Sequence, residues 1–331
     1  MLRNLIGALV FPLCFVAQRK GMAINMKKTK IIGPGSSNVD LTGFAPKLPT
    51  AGETVMGTRL AIGPGGKGSN QMTAAARAGG DVYFITRLGK DTFGEVLSAH
   101  FAREGFRKDH ILVSDTVDTA CALIEIDEAD AQNRIMVIPA ANSHVGRDEV
   151  LSAEADFASC DVVLTQLEIN MTGVMAAAEL AKKYGKPFIL NPAPALPLPD
   201  EIWAYVDWFT PNETEVTLYT GVEVNNDDDA RAAARVLLDR GVKNVVITLG
   251  KRGAYWTNGK DEAIVPGYPV KAVETTGAGD TFNGAFAVAL GEGKSPVEAL
   301  AFANAAAAIS VTRHGAAESA PKRDEIIDMM K

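Results

Sequence analysis

The sequence predicts an α/β fold: a doubly wound, mostly parallel central β-sheet flanked by helices, with a small β-sheet lid over one edge. Three observations carry that prediction. From Lys30 onward, short apolar runs alternate with longer helical patterns, as in a parallel sheet covered on both faces. Several of those runs end in polar residues, at the strand ends where open parallel sheets bind ligands. Two stretches, about 39–62 and 119–138, hold β-type segments with no helix between them, and these supply the lid.

Residues 1–26 read as an N-terminal extension outside the folded unit. Arg3 is followed by an apolar stretch from Leu5 to Ala17, interrupted by Pro12 and short for a membrane-spanning helix. No small-x-small cleavage site follows; the next residues are Gln18-Arg19-Lys20. Met22 and Met26 precede the basic residues Lys27, Lys28 and Lys30, so an over-extended translation start is favoured over secretion. Residues 27–331 contain no internal repeat or low-complexity linker and read as a single domain. Its strands are expected at 82–86, 162–165, 188–190, 208–210 and 245–249. Its helices are expected at 94–103, 174–184, 228–240, 278–290 and 296–311.

Composition narrows the class of partner. Hydrophobic residues are 47% and charged residues 22% of 331, which fits a globular protein with a sizeable core. A net charge of −7 argues against a nucleic-acid surface, so a polyanionic ligand needs a local site of backbone amides and a metal. No membrane partner is expected. Cys14, Cys121 and Cys160 form no CxxC pair, and their odd number argues against a disulfide framework. The four histidines lack zinc-ligand spacing. A reducing, cytoplasmic location follows.

The polar strand ends are Gln166 and Glu168 after 162–164, Asn191 after 188–190, Asn212 and Glu215 after 208–209, and Thr248 after 245–247. One such residue is more often a loop cap than a ligand; four in comparable positions indicate one cleft. Thr275-Thr276-Gly277-Ala278-Gly279-Asp280 opens the 278–290 helix. Its small residues let the backbone approach a ligand, and its free amides favour an anion. Asp280 alone would be a dipole-matched helix start, worth about 0.3–1 kcal/mol. Beside a two-glycine anion loop, the same carboxylate is well placed to accept a hydroxyl proton.

Gly63-Pro64-Gly65-Gly66-Lys67-Gly68-Ser69-Asn70-Gln71 is a second glycine turn, leading into helical residues 72–78. It lacks the spacing of a Walker P-loop, and no acidic residue follows suitably for a dinucleotide fingerprint. Tight packing would explain the glycines, but Lys67, Asn70 and Gln71 add groups able to hold sugar hydroxyls. Near the first strand, Asn38 and Asp40 form either an Asx turn or a bidentate grip on vicinal hydroxyls.

Taken together, the Gly65–Gln71 and Thr276–Asp280 runs, in this order and at this separation, resemble the two signatures of the ribokinase (pfkB) family of carbohydrate kinases. The resemblance extends from about Lys30 to the C-terminal helix and includes Thr165-Gln166-Leu167-Glu168, Asn191-Pro192-Ala193-Pro194-Ala195 and Thr210-Pro211-Asn212-Glu213-Thr214-Glu215. It implies ATP-dependent phosphorylation of D-ribose at O5, giving D-ribose 5-phosphate and ADP, and a homodimer formed through the lid. Asn38, Asp40, Gly66, Lys67, Asn70 and Glu168 would surround the pentose. Asp280 would be the base, with Gly277, Ala278 and Gly279 as the anion hole. Asn212 and Glu215 match an Asn-x-x-Glu motif tied to phosphate and Mg2+, which Glu215 serves indirectly. Thr248, Gly250, Gly253 and Asn304, with Gly279, would hold ATP. A monovalent cation, K+, would lie at Glu274, Thr276, Ser310, Arg313, Gly315 and Ser319, several acting through backbone carbonyls. Glu274 departs from the family's usual Asp, and the extra methylene moves the carboxylate by about a bond length.

The alternatives within this class are a family kinase acting on another sugar, a sugar phosphate or a nucleoside. Lys67 is the one evident cation for a phosphorylated acceptor, and no aromatic pair near Asn38 and Asp40 offers to stack a base. A non-catalytic sugar-binding protein is the alternative from another class. Such a scaffold has no need to keep base, anion loop and metal-site residues together, and all three are here.

Overall fold

The computed structural model describes residues 28–129 and 132–331; the extension expected over residues 1–26 lies outside them. The strands among the described residues are β1 (Lys30–Pro34), β2 (Asn38–Ala45), β3 (Arg59–Gly65), β4 (Asp81–Gly89), β5 (Ile111–Ser114), β6 (Ala120–Asp127), β7 (Asn133–Ile138), β8 (Val162–Thr165), β9 (Phe188–Leu190), β10 (Trp208–Phe209), β11 (Asn244–Thr248), β12 (Ala254–Thr257) and β13 (Glu262–Val265). Nine build a large sheet in the order β13-β12-β11-β10-β9-β8-β1-β4-β5, and four build a second, β3-β2-β6-β7. From β5 through β1 and β8 to β11 the large sheet is parallel; β12 and β13 close one edge antiparallel.

The central strands are apolar on both faces because both are covered. Successive side chains of a strand point to opposite sides, and the two cores follow that alternation. Ile32 and Val163 pack with Val174, Ala177 and Leu180 of the Met171–Lys183 helix and with Leu237 of the Asp227–Asp239 helix. Ile31, Val162 and Leu164 face the other way, onto Met72 of the Lys67–Arg77 helix, Phe282 and Phe286 of the Ala278–Gly291 helix, and Leu300 of the Pro296–Ser310 helix. Among the described residues no helix is long and apolar enough to cross a membrane.

The strand order reverses between β1 and β8: β4 and β5 extend one way, and β8 to β11 the other. Such a reversal opens a crevice at the carboxyl ends of the strands. The chain leaving β1 rises into β2 of the second sheet, and the chain leaving β8 carries Gln166 and Glu168. The second sheet therefore projects from the rim of the crevice.

Candidate active site

The floor of the crevice is the start of the Ala278–Gly291 helix. Its N-cap, Gly277, has φ of 76°, a left-handed conformation that glycine adopts without a Cβ penalty. A Cβ at Gly277 would stand 2.9 Å from Cα of Ala316, so this turn lies directly against the Val311–Ser319 region. At Gly279 a Cβ would meet nothing within 4 Å, so that position faces open space. No side chain caps the helix. The Ala278 N–H donates to Thr275 O at 3.2 Å, while the N–H groups of Gly279 and Asp280 have no partner among the described residues. Unpaired amides at a helix start form an anion site.

Asp280 lies in the first turn, 6% exposed. The side-chain amides of Asn70 and Gln71 donate to its Oδ2 and Oδ1, each at 3.0 Å. Two glycine contacts make that reach attainable. A Cβ on Gly284 would lie 2.2 Å from Gln71 O, so its absence lets the Ala278–Gly291 and Lys67–Arg77 helices cross at backbone distance. A Cβ on Gly68 would lie 2.5 Å from Ser36 N, so the Lys67–Arg77 helix also abuts the turn after β1. That helix begins at Lys67, five residues before the 72–78 segment expected from periodicity. Gly66 is its N-cap, at φ 86°, with the Asn38 N–H 2.8 Å from where its Cβ would be.

Across the crevice stand Asn38, Asp40 and Glu168. Asn38 opens β2 rather than an Asx turn. Its Oδ1 accepts from Asn142 Nδ2 at 2.7 Å, and Asn142 Oδ1 accepts from Ser37 N at 2.9 Å. Glu168 Oε2 accepts from Ser36 Oγ at 2.6 Å and from the Lys67 backbone N–H at 3.0 Å. Asp40 accepts no hydrogen bond among the described residues, and it lies so close to Gly65 that a Cβ there would fall 2.2 Å from its carboxylate oxygens. Burial, then the charges of Glu168 and Asp280, push the Asp40 carboxyl up to about 7. Lys67 is held above its ordinary value chiefly by Asp280, against burial, with help from Glu168 and Glu215. A cavity of about 420 Å³ adjoins this group, lined among others by Asn38, Asn142, Leu167, Glu168, Ile169 and Pro194.

On the other side of Asp280, the Asn-x-x-Glu segment forms a reciprocal cap on the Glu213–Thr220 helix. Asn212 Oδ1 accepts from Glu215 N at 2.7 Å, and Glu215 Oε2 accepts from Asn212 N at 2.8 Å. Burial raises the Glu215 carboxyl, opposed by the Asn212 hydrogen bond and by Lys67. Asn212 also bridges Thr248 at the end of β11. Gly250 and Gly253 flank a tight turn at positive φ, and a Cβ on Gly253 would strike Val265 O at 2.1 Å. Asn304 donates to Val265 O at 2.9 Å and Pro266 O at 3.2 Å, and so supports the same edge.

The six positions expected to hold a monovalent cation come from two segments that touch. Glu274 Oε2 accepts from Gly315 N at 3.2 Å and contacts His314 Nδ1 at 3.3 Å, and Thr276 lies between Glu274 and the Gly277 turn. The Ser310 and Ser319 hydroxyls donate to Ala307 O and Ala316 O at 2.8 Å. The Arg313 side chain pairs with Glu325, which leaves its backbone carbonyl as its available ligand. Among the described residues no three His, Cys, Asp or Glu side chains are grouped to hold a metal.

Several supporting residues had no individual signal in the sequence. Ser36 and Asn142 were not singled out; they orient Glu168 and Asn38. Gln166 and Asn191 stood out as strand ends, but their link to Asp280 through Gln71 runs between residues 95 and 120 apart.

The family model of pfkB family carbohydrate kinases matches residues 28–323. A ribokinase of Haemophilus influenzae is 43% identical over 306 residues, 92% of this chain and 99% of that protein. A deoxyribokinase of Salmonella typhi is 36% identical over 292 residues, 88% of this chain and 95% of that protein. An Arabidopsis thaliana ribokinase, solved with ribose and ATP, superposes with a TM-score of 0.87 at 32% identity, covering 92% of this chain and 99% of that one.

Proposed function

The chain belongs to the pfkB family of carbohydrate kinases, and from that premise we propose that it transfers the γ-phosphoryl group of ATP to O5 of D-ribose. One observation carries the reading: a buried carboxylate, oriented by two amides, stands beside unpaired helix-start N–H groups. In this reading Asp280 accepts the proton of the acceptor hydroxyl as its oxygen attacks the γ-phosphorus. The Gly277, Ala278 and Gly279 turn offers backbone donors to the equatorial oxygens, where charge is greatest. Asn38, Asp40, Gly66, Lys67, Asn70 and Glu168 hold the pentose with that hydroxyl toward Asp280. Asn212, Thr248, Gly250, Gly253 and Asn304 border the nucleotide. The second sheet acts as a lid that excludes water from the acceptor position.

Mg2+ would neutralise phosphate charge here. Glu215 fits an indirect, water-mediated role, because one of its oxygens is tied to Asn212 N and no group of three ligating His, Cys, Asp or Glu side chains is found among the described residues. K+ would be held by carbonyls of the 310–319 turn together with Glu274 and Thr276, and its charge would stabilise the neighbouring Gly277 turn. A homodimer through the lid is supported by register. Ile62, Leu41, Leu123 and Met136 form one cross-strand row, with Ile62 56% and Met136 61% exposed. An apolar face of that kind marks an interaction surface. We place the enzyme in the cytosol, where its co-substrate ATP is made.

The charge of the crevice favours a neutral acceptor. Asp280, Glu168 and Glu215 all act on Lys67, and Glu168 and Asp280 also act on Asp40, which makes an unwelcoming site for a second phosphate on the sugar. The test is ADP release coupled to NADH oxidation, with D-ribose, 2-deoxy-D-ribose, a hexose, fructose 6-phosphate and adenosine as acceptors. D-Ribose should give the highest kcat/KM, with no turnover when sugar or Mg2+ is withheld. Preference for a sugar phosphate or a nucleoside would overturn the substrate assignment, and no sugar-dependent ADP would leave a binding protein.

A further inference from the structure

Asp280 is the end point of a buried, one-way chain of amides. Gln71 and Gln166 are 0% exposed, and Asn191 is 6% exposed. Asn191 Nδ2 donates to Thr210 O at 2.9 Å, and a backbone carbonyl can only accept, so Asn191 Oδ1 must be the atom facing Gln71. Gln71 Nε2 donates to that oxygen at 3.0 Å and to Asp280 Oδ1 at 3.0 Å. Both partners are acceptors, so neither orientation of Gln71 but this one is free of oxygen-to-oxygen contact. Its Oε1 then accepts from Gln166 Nε2 at 2.8 Å. At the far end Gln166 Oε1 is left buried with no partner among the described residues.

An unpaired buried carbonyl is destabilising, yet turning Gln166 over would set its oxygen against Gln71 Oε1. Thr210 continues the network beyond Asn191: its Oγ1 contacts Asn283 Oδ1 at 2.6 Å, and Asn283 Nδ2 donates to Gly279 O at 2.8 Å. The same network therefore reaches the base and the anion turn. From this directionality we infer that Gln71 is a positioning residue for the base, with Gln166 and Asn191 fixing which of its ends meets Asp280. The inference rests on the reading of Asp280 as the proton acceptor. Gln71, expected from the sequence to hold sugar hydroxyls, is instead fully buried with both ends of its amide engaged by protein groups.

The test is Gln71→Glu, Gln71→Leu and Gln166→Leu in the full chain, with melting curves, separate KM values for sugar and ATP, and kcat–pH profiles. Gln71→Glu keeps the shape of the side chain but sets a like charge against Asp280. It should lower kcat by about 10- to 100-fold, keep both KM values within about threefold, and move the acidic limb of the profile to higher pH. Lys67, Asp40 and Glu215 face the same carboxylate; they are common to all variants and cancel in the comparison. Gln71→Leu should lower kcat by about tenfold. Gln166→Leu exchanges one orphaned oxygen, its own, for another, Gln71 Oε1, and should lower kcat by less than about fivefold. A folded Gln71→Glu protein whose kcat–pH profile superposes on wild type, or whose loss lies wholly in KM, overturns the inference. If Gln71→Glu does not fold, Gln71→Leu is judged by the same two criteria. Preference of the wild type for another sugar defeats only the ribose reading, and the variants are then scored on that sugar. Full turnover by Asp280→Asn defeats the base assignment and this inference with it.

Discussion

Lowering the pH from about 8 to about 6 should weaken sugar binding roughly tenfold through one carboxyl group, Asp40. Burial, Glu168 and Asp280 together push this group up to about 7. A hydroxyl donates best to the ionised form, so the apparent affinity scales with the ionised fraction. For a group titrating near 7 that fraction is about 0.9 at pH 8 and about 0.1 at pH 6. Calorimetric titration of D-ribose in the absence of ATP isolates the effect from catalysis. Repeating it at pH 6 in two buffers of different ionisation enthalpy should reveal release of nearly one proton per sugar bound. Stability of the free enzyme moves in the opposite sense. The folded protein keeps a proton that the unfolded chain loses near pH 4, so this group's contribution declines as pH rises from about 4 to about 7. Asp40→Asn should abolish the proton release, weaken binding at pH 8, and flatten the fall in melting temperature across that window. A dissociation constant constant from pH 6 to 8, with no proton release, would refute the argument.

Asp280→Asn should remain folded, bind sugar and ATP within about threefold of wild type, and lose about 10²- to 10⁴-fold in kcat, the usual contribution of a proton acceptor; single-turnover ADP formation measures it. Met136→Lys puts a charge in the exposed apolar row of the second sheet, and should shift the protein to monomer in analytical ultracentrifugation while its melting temperature stays within a few degrees. Glu274→Asp shortens the carboxylate that caps Gly315 N and should change the KCl concentration giving half-maximal kcat, whereas replacing K+ by Na+ should lower kcat in both proteins.

What the sequence made legible was whatever local periodicity or spacing encodes. Val162–Leu164 and Phe188–Leu190 are uniformly apolar, each followed by polar residues, and buried on both faces. The Thr276–Asp280 run states its own conformation, since a left-handed N-cap calls for glycine at 277. The antiparallel edge was not legible: Ala254–Thr257 and Glu262–Val265 are short, and the pairing of the first with β11 and of the second with β12 is a tertiary choice. The early start of the Lys67–Arg77 helix was hidden by its glycines, which weaken local helix propensity but are required for contact with Ser36 and Asn38. Amide-to-amide bonds such as those of Gln71 leave no periodic trace. Asn212 and Glu215 are the intermediate case, because Asn-x-x-Glu before a helical run is by itself a capping signal. A motif associated with phosphate and metal is here also the clasp of its own helix.

Asp40 and Asp280 differ less in their charged surroundings than in their hydrogen bonds. Asp40 feels the charges of Glu168 and Asp280, while Asp280 and Glu168 both act on Lys67. Asp280 receives two side-chain amides, and a third amide fixes the orientation of one of them. Asp40 receives none among the described residues. A carboxylate with donors already in place keeps its plane and orientation before the substrate arrives, as a base must. A carboxylate without donors is incomplete until sugar hydroxyls supply them, and burial, with the charges of Glu168 and Asp280, resists its ionisation until then. The allocation of donors thus separates two chemically identical side chains into a preorganised proton acceptor and a ligand-completed sugar contact. That division follows from where Asn70 and Gln71 lie on their helix: both are within the two turns that Gly284 and Gly68 allow to press against the floor and rim of the crevice.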